Sequence, residues 1–426
     1  MEKIVKTGQV NGRVKAIASK SQAHRYLICA ALSDKEMEVH FEEDSEDIIA
    51  TMECLKSMGA EIERTEYGCK VTPILYSGDF VLMKCNESGS TFRFLLPVAG
   101  ALGIQGAFEL KGRLAKRPLS PLYEEMIRHG CKMSEQGTTP FDIAGGLTGG
   151  EYVIPANVSS QFISGLLFAL PLLEEDSTIQ LTGKIESKSY IDMTLDAISK
   201  FGIKIESTYN NEGELIFCIK GGQSYSLDDA DVVNVEGDWS NAAFILCAGA
   251  IAGKVDCYGL DINSRQGDKE IVNILTKFGS AVNVSNDGDD KYTINIEKND
   301  IKGIEINAEN IPDLVPVLAA VASVAKGTTR IYNAQRLRLK ESDRLETVST
   351  TLNKLGADIT VTEDGLIING KDRLIGGVVD SCGDHRIAMM AAVASLVCDE
   401  EVTITNAEAI NKSYPGFFED FACITM

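Results

Sequence analysis

Small polar residues precede six almost wholly apolar stretches of the chain, and several of them have a Lys or Arg within one helical turn. Helix N-termini expose N–H groups and a partial positive charge, so this combination is suited to binding anions. Ser and Thr also cap helices for structural reasons, so any single start is explained without a ligand. Their recurrence favours anion binding. The residues are Lys20, Ser21 and Arg25; Gly89, Ser90, Thr91 and Arg93; Ser159, Ser160 and Gln161; and Asp384, His385 and Arg386.

Lys and Arg are concentrated in a few segments of a chain whose formal net charge is −21. The segments are 111–117, with Arg113, and 336–344, with Lys340 and Arg344, and Lys412 stands alone. A solvated charged face explains the first equally well. The second alternates charges with leucines before an apolar helix pattern, which predicts guanidinium groups able to clamp a carboxylate or phosphate.

Two carboxylates among these cations could move protons. Asp313 follows Pro312 at the start of a buried helix, where the helix dipole alone would also favour an acid. Glu341 lies between Lys340 and Asp343. A carboxylate beside a bound anion can act as an acid or a base, so both residues are candidates for that role.

Several common motifs are missing from the sequence. There is no Gly-x-Gly-x-x-Gly after a strand, no His-Glu-x-x-His and no Gly-x-Ser-x-Gly. The spacing of the four histidines and the scattered cysteines predicts no metal site. The segment 249–255 imitates a phosphate-binding loop but is one residue short, and we interpret it as a helix C-terminus. Cys131 and Cys382 could be nucleophiles, although buried, inert thiols are expected.

Two kinds of helix repeat along the chain. The first kind ends in Gly and precedes a short strand; its glycines, 71, 72, 77 and 77 residues apart, are Gly59, Gly130, Gly202, Gly279 and Gly356. The second kind is apolar all round, which is typical of a buried helix; its starts, 69, 71, 79, 74 and 70 residues apart, are Ser19, Ser88, Ser159, Asp238, Pro312 and Cys382. The repeats predict six α/β units packed three and three into two similar globular domains.

The predicted domains are residues 14–230, and residues 1–13 with 231–426, joined near Val232–Gly237. An isolated strand at Lys3–Lys6 is expected to pair with the second domain. A pI near 4.7 argues against nucleic acid and anionic membranes as partners. The longest apolar stretches run 12 residues, too short to span a bilayer. The N-terminus lacks a signal-peptide pattern, and the eleven cysteines contain no Cys-x-x-Cys, so a cytoplasmic protein is expected.

Over essentially its whole length the chain resembles the 3-phosphoshikimate 1-carboxyvinyltransferases of the shikimate pathway. The motifs that carry the resemblance are Ser19-Lys-Ser-Gln-Ala-His-Arg25, Gly112-Arg-Leu-Ala-Lys-Arg-Pro118, Ser159-Ser-Gln-Phe162, Ser187-Lys-Ser-Tyr-Ile-Asp192, Val235-Glu-Gly-Asp238, Leu339-Lys-Glu-Ser-Asp-Arg-Leu345 and Gly383-Asp-His-Arg-Ile-Ala-Met389. The resemblance implies two domains, each an inside-out α/β barrel, with the active site in the cleft between them. It implies enolpyruvyl transfer from phosphoenolpyruvate to the 5-hydroxyl of shikimate 3-phosphate, with release of phosphate, in chorismate and aromatic amino acid biosynthesis. It also implies that the protein needs no cofactor or metal and is a monomer.

The resemblance also assigns residues to the two substrates and to the chemistry. Ser159, Ser160 and Ser187, with Tyr190 nearby, would hold the shikimate phosphate; Ser21 and Arg25 would meet its carboxylate, and Gln161 its ring. Phosphoenolpyruvate would contact Lys20, Gly89, Arg113, Arg344, Arg386 and Lys412, beside His385, with Lys340 also in the substrate-binding set. Asp313, with Lys20, would take the proton of the 5-hydroxyl group. Glu341 would protonate the methylene carbon and later deprotonate the resulting methyl group.

Two positions depart from the family pattern: Glu87-Ser88-Gly89-Ser90 replaces Asn-Ala-Gly-Thr, and Arg336 replaces an Asn. Because Gly89 leaves room where a side chain would obstruct glyphosate, we hypothesise sensitivity to that compound. The UDP-N-acetylglucosamine enolpyruvyl transferases are an alternative, but they lack the Ser-Lys-Ser and Lys-Glu-Ser-Asp-Arg elements. An inactive anion-binding protein is a second alternative. Loss of Asp313, Glu341 or Lys20 would have indicated such a protein, and all three residues are present.

Overall fold

A computed structural model describes residues 1–227, 231–288 and 291–426. The chain divides into two compact units. The central unit is Lys20–Val235, and the terminal unit combines Met1–Ser19 with Glu236–Met426. The domain boundary predicted at 230/231 lies at the edge of the segment 228–230, which is outside the described residues.

In the described ranges the chain forms twelve α-helices. They are α1 (Lys20–Ala31), α2 (Glu46–Ser57), α3 (Gly89–Ala101), α4 (Leu122–Arg128), α5 (Ser160–Ala169), α6 (Lys188–Lys200), α7 (Trp239–Ala252), α8 (Ile271–Phe278), α9 (Val315–Ala322), α10 (Arg344–Lys354), α11 (His385–Ser395) and α12 (Phe417–Ile424). Short 3-10 helices cover Leu114–Lys116, Leu170–Leu172, Gly267–Glu270, Pro312–Leu314, Gln335–Leu339 and Ala407–Lys412.

Both predicted kinds of helix are confirmed. The apolar helices are α1, α3, α5, α7, α9 and α11, and in α9 and α11 every residue is buried. The other kind is α2, α4, α6, α8 and α10, and the glycine that follows each of them has a positive φ between 77° and 113°. Gly279 shows why glycine is needed, because at φ 113° an added Cβ would lie 2.8 Å from the Asp300 carbonyl oxygen.

The strands form short, separate sheets. Their bounds are β1 (Glu2–Val5), β2 (Val10–Lys15), β3 (Met37–His40), β4 (Glu61–Arg64), β5 (Gly68–Thr72), β6 (Val81–Asn86), β7 (Gly106–Leu110), β8 (Lys132–Met133), β9 (Phe141–Ala144), β10 (Gly150–Pro155), β11 (Ser177–Thr182), β12 (Ile205–Tyr209), β13 (Leu215–Ile219), β14 (Val232–Asn234), β15 (Gly253–Leu260), β16 (Ala281–Gly288), β17 (Lys291–Glu297), β18 (Glu305–Asn307), β19 (Thr328–Tyr332), β20 (Asp358–Val361), β21 (Leu366–Asn369), β22 (Gly377–Asp380) and β23 (Val402–Thr405).

One strand plan repeats in both units. The central unit has the sheets β14-β3-β5-β4, β6-β7-β9-β8 and β10-β11-β13-β12, and the terminal unit has β16-β17-β15-β2, β18-β19-β21-β20 and β1-β23-β22. Each sheet contains one parallel pair, and its other pairs are antiparallel. None of these sheets, as far as the structure describes them, closes into a barrel. The fold is therefore of the mixed α/β class, built from six similar units.

The N-terminal strands belong to the terminal unit. β1 pairs antiparallel with β23, and β2 pairs parallel with β15. The core of the terminal unit is built around α7, α9 and α11 together with residues of β1 and β2. In the central unit, aromatic rings pack edge to face, with Phe92 5.3 Å from Phe108 and 5.5 Å from Phe141 between ring centroids. No helix in the described residues is long and apolar enough to cross a membrane.

Candidate active site

In the central unit, Arg25 of α1 connects this helix to α6. It is buried; its Nε donates a hydrogen bond to Thr194 Oγ1 at 2.9 Å and its Nη2 to the Tyr190 carbonyl oxygen at 2.9 Å. Its Nη1 donates to the Ser21 carbonyl oxygen. Burial lowers the pKa of Arg25 to about 10, so the guanidinium remains charged at neutral pH. Three of the five N–H donors of the guanidinium group thus hold the Arg25 side chain in place.

Lys20 is the first residue of α1, and it is paired with an acid at the start of α2. Its Nζ lies 2.8 Å from Asp47 Oδ2, and the two side chains are 15% and 8% exposed. The helix N-terminus and the amine together make a positive site, which Asp47 holds in place.

The starts of α3 and α5 are connected through Gln161. Its Nε2 donates to Ser90 Oγ at 2.9 Å, and its Oε1 accepts from Arg93 Nη1 at 3.2 Å. Ser159 caps α5 by accepting from the Gln161 amide at 3.3 Å, and Ser160 is buried beside it. The predicted serine and glutamine residues therefore lie at one helix start, next to a cation.

Gly89 lies beneath two guanidinium groups. A Cβ added to it would lie 2.7 Å from Arg117 Nη1 and 2.8 Å from Arg93 Nη1. The sequence pointed to Arg113, which is exposed at the start of a 3-10 helix, whereas Arg117 of the same basic segment lies beside Gly89. Sequence reasoning did not single out Arg117, for which Lys116-Arg117-Pro118 in the basic segment was the available signal, and Arg113 stays a prediction.

Ser187 precedes α6 in a left-handed conformation, with φ 55° and ψ 41°, and it is buried. Its carbonyl oxygen accepts from the Tyr190 amide at 3.1 Å. A non-glycine residue held in this region costs about 1–3 kcal/mol and is often found at binding sites.

In the terminal unit, Arg344 begins α10 and binds three carboxylates. It is 1% exposed; Nη1 donates to Asp313 Oδ1, Nη2 to Glu341 Oε2 and Nε to Asp384 Oδ2, each at 2.8 Å. Burial alone would lower the pKa of Arg344, but Asp384, Glu341 and Asp313 offset that effect and raise it above its ordinary value. A buried charge needs such partners, and here they bring together the two predicted proton-transfer residues.

Asp313 is the meeting point of three cations. Besides Arg344, it has Arg386 Nη2 at 3.3 Å from Oδ2 and Lys340 Nζ at 3.7 Å from Oδ1. Arg386 Nη1 also donates to the Asp313 carbonyl oxygen at 3.1 Å. Burial lowers the pKa of Lys340, and the charge of Arg344 lowers it further, while Asp313 opposes both. Three of the predicted residues, Lys340, Arg344 and Arg386, thus contact Asp313.

Asp384 is a second residue that sequence reasoning did not identify as part of the cluster. It is fully buried, caps α11 by accepting from the Arg386 amide at 3.0 Å, and accepts from Ser342 Oγ at 3.0 Å. His385 Nδ1 lies 3.6 Å from its Oδ1. Lys412, also buried, ends the 3-10 helix 407–412 of the same unit.

Asp268 is a third buried acid of the terminal unit. Its Oδ2 accepts from Ser240 Oγ. Burial raises its pKa to about 7, and the nearby Asp313 charge adds to the effect, while Arg386 opposes it. The group therefore changes charge near neutral pH.

The other candidates from the sequence are the histidines and cysteines and the segment 249–255. Among the described residues no group of three or more His, Cys, Asp or Glu side chains could hold a metal ion. Gly253 ends α7 and its amide donates to the Gly249 carbonyl oxygen, as the C-terminus interpretation predicts. Cys131 is buried, and burial raises its pKa to about 12. The expectation of burial is wrong for Cys382, which is exposed in the connection between β22 and α11.

Each unit therefore presents its own set of groups. The central unit offers hydroxyl groups, an amine and guanidinium groups at helix starts, which suit phosphate and carboxylate oxygens. The terminal unit offers cations interleaved with carboxylates, which suit a bound anion and proton transfer.

Comparison with known proteins agrees with this chemistry. The family model for EPSP synthase (3-phosphoshikimate 1-carboxyvinyltransferase) matches residues 4–421. The 3-phosphoshikimate 1-carboxyvinyltransferase of Clostridium perfringens is 48% identical over 425 residues, which are 99% of this chain and 98% of that protein. The enzyme of the same name from Clostridium kluyveri is 45% identical over 420 residues, covering 97% and 95%.

Solved structures show the same fold. An EPSP synthase from Acinetobacter baumannii has a TM-score of 0.81 at 25% identity, over 100% of this chain and 98% of that one. The enolpyruvyl transferase NikO from Streptomyces tendae has a TM-score of 0.76 at 17% identity, over 99% and 96%, and shows the fold alone. Because the family model and relatives of 45–48% identity span nearly all of the sequence, the chain belongs to the EPSP synthase (3-phosphoshikimate 1-carboxyvinyltransferase) family.

Proposed function

We propose how the two units share the reaction of this family, the transfer of the carboxyvinyl group of phosphoenolpyruvate to the 5-hydroxyl of shikimate 3-phosphate with release of phosphate. The chain is a transferase of this class, EC 2.5.1.19, in aromatic amino acid biosynthesis. The assignment of single residues below is our proposal. The observation that carries it is the buried Arg344 guanidinium, which gathers Asp313, Glu341 and Asp384 around one cation.

The central unit would hold shikimate 3-phosphate. The hydroxyl groups of Ser159, Ser160 and Ser187 at the starts of α5 and α6 are suited to the phosphate, with Tyr190 close to Ser187 along the chain. Ser21 and Arg25 would meet the ring carboxylate, for which Arg25 is already oriented by α6. Gln161 would lie against the ring.

Phosphoenolpyruvate would be held by cations from both units. From the central unit we assign Lys20, the Gly89 amide and Arg113, and we add Arg117 as a further cation because it lies beside Gly89. From the terminal unit we assign Lys340, Arg344, His385, Arg386 and Lys412. Two polyanions repel each other, so several fixed cations are needed before the substrates can react.

The chemistry would proceed by addition and elimination. Asp313, with Lys20, takes the proton of the 5-hydroxyl as its oxygen bonds to C2 of the donor, and Glu341 gives a proton to C3. The C2–O bond to phosphate then breaks, and Glu341 takes back a proton from the methyl group as the C2–C3 double bond reforms. A donor carboxylate at Arg344 would compete with Glu341 for Nη2, leaving the Glu341 carboxyl available to the substrate.

The first test is phosphate release from phosphoenolpyruvate in buffer with a metal chelator, with either shikimate 3-phosphate or UDP-N-acetylglucosamine as acceptor. We expect phosphate release only when shikimate 3-phosphate is the acceptor. Lys220→Gln is a matched control, because it removes an exposed cation whose ion pair with Asp176 lies outside the proposed site, and it should retain activity. Release with UDP-N-acetylglucosamine would overturn the acceptor. Release with neither would leave an anion-binding protein, to be examined by calorimetry with each ligand.

We also propose that the protein acts as a monomer in the cytoplasm. The acidic pI, which opposes attraction to anionic membranes, supports the location. Light scattering and cell fractionation test the two statements separately.

A further inference from the structure

A chain of buried hydroxyl groups runs through the central unit behind Lys20. His24 Nδ1 lies 2.7 Å from Thr51 Oγ1, Thr51 Oγ1 lies 2.7 Å from Thr91 Oγ1, and Thr91 Oγ1 donates to Ser88 Oγ at 2.7 Å. All four residues are buried, and the imidazole is 1% exposed. The chain joins α1, α2 and the N-cap of α3 without reaching solvent.

The direction of the hydrogen bonds follows from counting protons. Each hydroxyl group donates one hydrogen, and that of Thr91 is directed to Ser88, with a longer 3.4 Å contact to the Asp47 carbonyl oxygen. Thr51 must then donate to Thr91, and His24 must donate to Thr51 from Nδ1. Burial lowers the pKa of His24 to about 3, so the imidazole is neutral and the Nδ1–H tautomer is the one assigned by this pattern.

The His24–Thr51 bond is the inner of two connections between α1 and α2, and the Lys20–Asp47 pair is the outer one. Lys20 and His24 are four residues apart on α1, and Asp47 and Thr51 are four residues apart on α2. The Lys20–Asp47 pair and the His24–Thr51 bond therefore connect the two helices at points about one helical turn apart. A shift of His24 relative to Thr51 would for this reason also move Lys20 relative to Asp47.

We propose that His24 is a positioning residue, which fixes the Lys20 amine and the first turn of α3 through Thr51, Thr91 and Ser88. The effect falls on the phosphoenolpyruvate side, because Lys20 and Gly89 are the groups assigned to that substrate. Arg25, on the adjacent position of α1, is held separately by Thr194 and the Tyr190 carbonyl oxygen. The proposal rests on the assignment of Lys20 and Gly89 given above.

A matched pair of variants separates positioning from simple packing. His24→Asn and His24→Leu remove the ring and its edge-to-face contact with Phe94 alike, but Asn keeps a neutral N–H donor in reach of Thr51. Thr51→Val breaks the same bond from the other side with little change in volume. Ser33→Ala is the control, because it removes a buried hydroxyl group bonded to the Lys35 carbonyl oxygen beyond the far end of α1.

The experiment is steady-state kinetics with each substrate varied in turn, together with urea unfolding of every variant. We expect His24→Leu and Thr51→Val to raise KM for phosphoenolpyruvate about tenfold, with KM for shikimate 3-phosphate changed less than about twofold. His24→Asn should return to within about threefold of the wild type, and the His24→Leu/Thr51→Val double variant should be no worse than the poorer single variant.

Three results would overturn the proposal. They are an equal rise in both KM values, a loss of unfolding free energy without any change in KM, and a His24→Asn variant as impaired as His24→Leu at equal stability. If His24→Leu does not fold, Thr51→Val and His24→Asn still decide the question. Failure of the proposed function is recognised separately, because the wild-type protein would then release no phosphate.

Discussion

At the residue scale, Arg344 explains why acids and bases can lie side by side in the terminal unit. A guanidinium is always charged, and its five N–H donors lie in one plane, so one buried Arg can orient several carboxylates at once. Glu341 is bound by one nitrogen and Asp384 by two. Asp384 therefore anchors the guanidinium, while the single bond leaves Glu341 able to turn toward a substrate.

The variant Glu341→Gln tests whether Glu341 transfers protons while Asp384 anchors the Arg344 guanidinium. The amide keeps the shape and can still accept from Arg344, but it cannot donate a proton to carbon or remove one. We expect kcat to fall by about 10³-fold or more, with both KM values within about threefold of the wild type. Single-turnover measurements with Lys220→Gln as the control check this. Turnover equal to the wild type would remove Glu341 from the mechanism.

Asp268 predicts a pH dependence of stability. Its pKa in the folded protein is about 7, raised by burial from an ordinary value of 3.8, so the folded state binds more protons than the unfolded state between these values. The contribution to the unfolding free energy is complete below pH 3.8 and is lost as the pH rises through 7. Asp268→Asn stays neutral and can keep the Ser240 bond.

The stability of Asp268→Asn relative to the wild type should therefore increase from pH 5 to pH 8. Urea unfolding at the two pH values measures it, with the exposed Asp34→Asn as the control. A difference between variant and wild type that is the same at both pH values would contradict the prediction.

The limits of sequence reasoning are also clearest for single residues. Glu341 and Arg344 were recognisable because they lie three positions apart. Asp384 reaches Arg344 across 40 positions, so the contact depends on how α10 and α11 pack. Arg113 and Arg117 belong to the same basic segment, and Arg117 is the one that lies beside Gly89. Their positions depend on how the segment before Pro118 folds, which no local pattern specifies.

At the element scale, local patterns predicted the helices well. A helix that ends in Gly needs only its last turn and the following residue to be recognised, and all five predicted ends have a positive φ. Residues that are apolar on every side predict a buried helix, and α9 and α11 are buried throughout. Sheet order could not be predicted in the same way, because it pairs distant segments such as β1 with β23.

Gly279→Ala measures what one such helix end contributes. At φ 113° the added Cβ would lie 2.8 Å from the Asp300 carbonyl oxygen, so strain and a clash combine. We expect a loss of about 2–3 kcal/mol of unfolding free energy. Gly327→Ala is the control, since φ is 95° but no atom lies within 4 Å of its Cβ, and it should cost about 1 kcal/mol. Equal losses would show that the contact with Asp300 is unimportant.

At the scale of the whole molecule, the chain leaves the terminal unit after residue 19 and returns to it at residue 236. β2 pairs with β15 although more than two hundred residues separate them, and β14 pairs with β3 inside the central unit. The buried side chains around α7, α9 and α11 all belong to the terminal unit. Each unit thus has a core of its own, but the terminal core needs the first nineteen residues of the chain.

Val14→Asp should for this reason damage one core and spare the other. Val14 is buried on β2 in the core of the terminal unit, where an unpaired carboxylate costs about 3 kcal/mol or more. Hydrogen exchange should then show lost protection in Glu236–Met426 and retained protection in Lys20–Val235. Asn11→Asp puts the same charge on an exposed position of β2 and should change neither. Loss of protection in both units at once would mean that the two cores unfold cooperatively, because folding of one would then depend on the other.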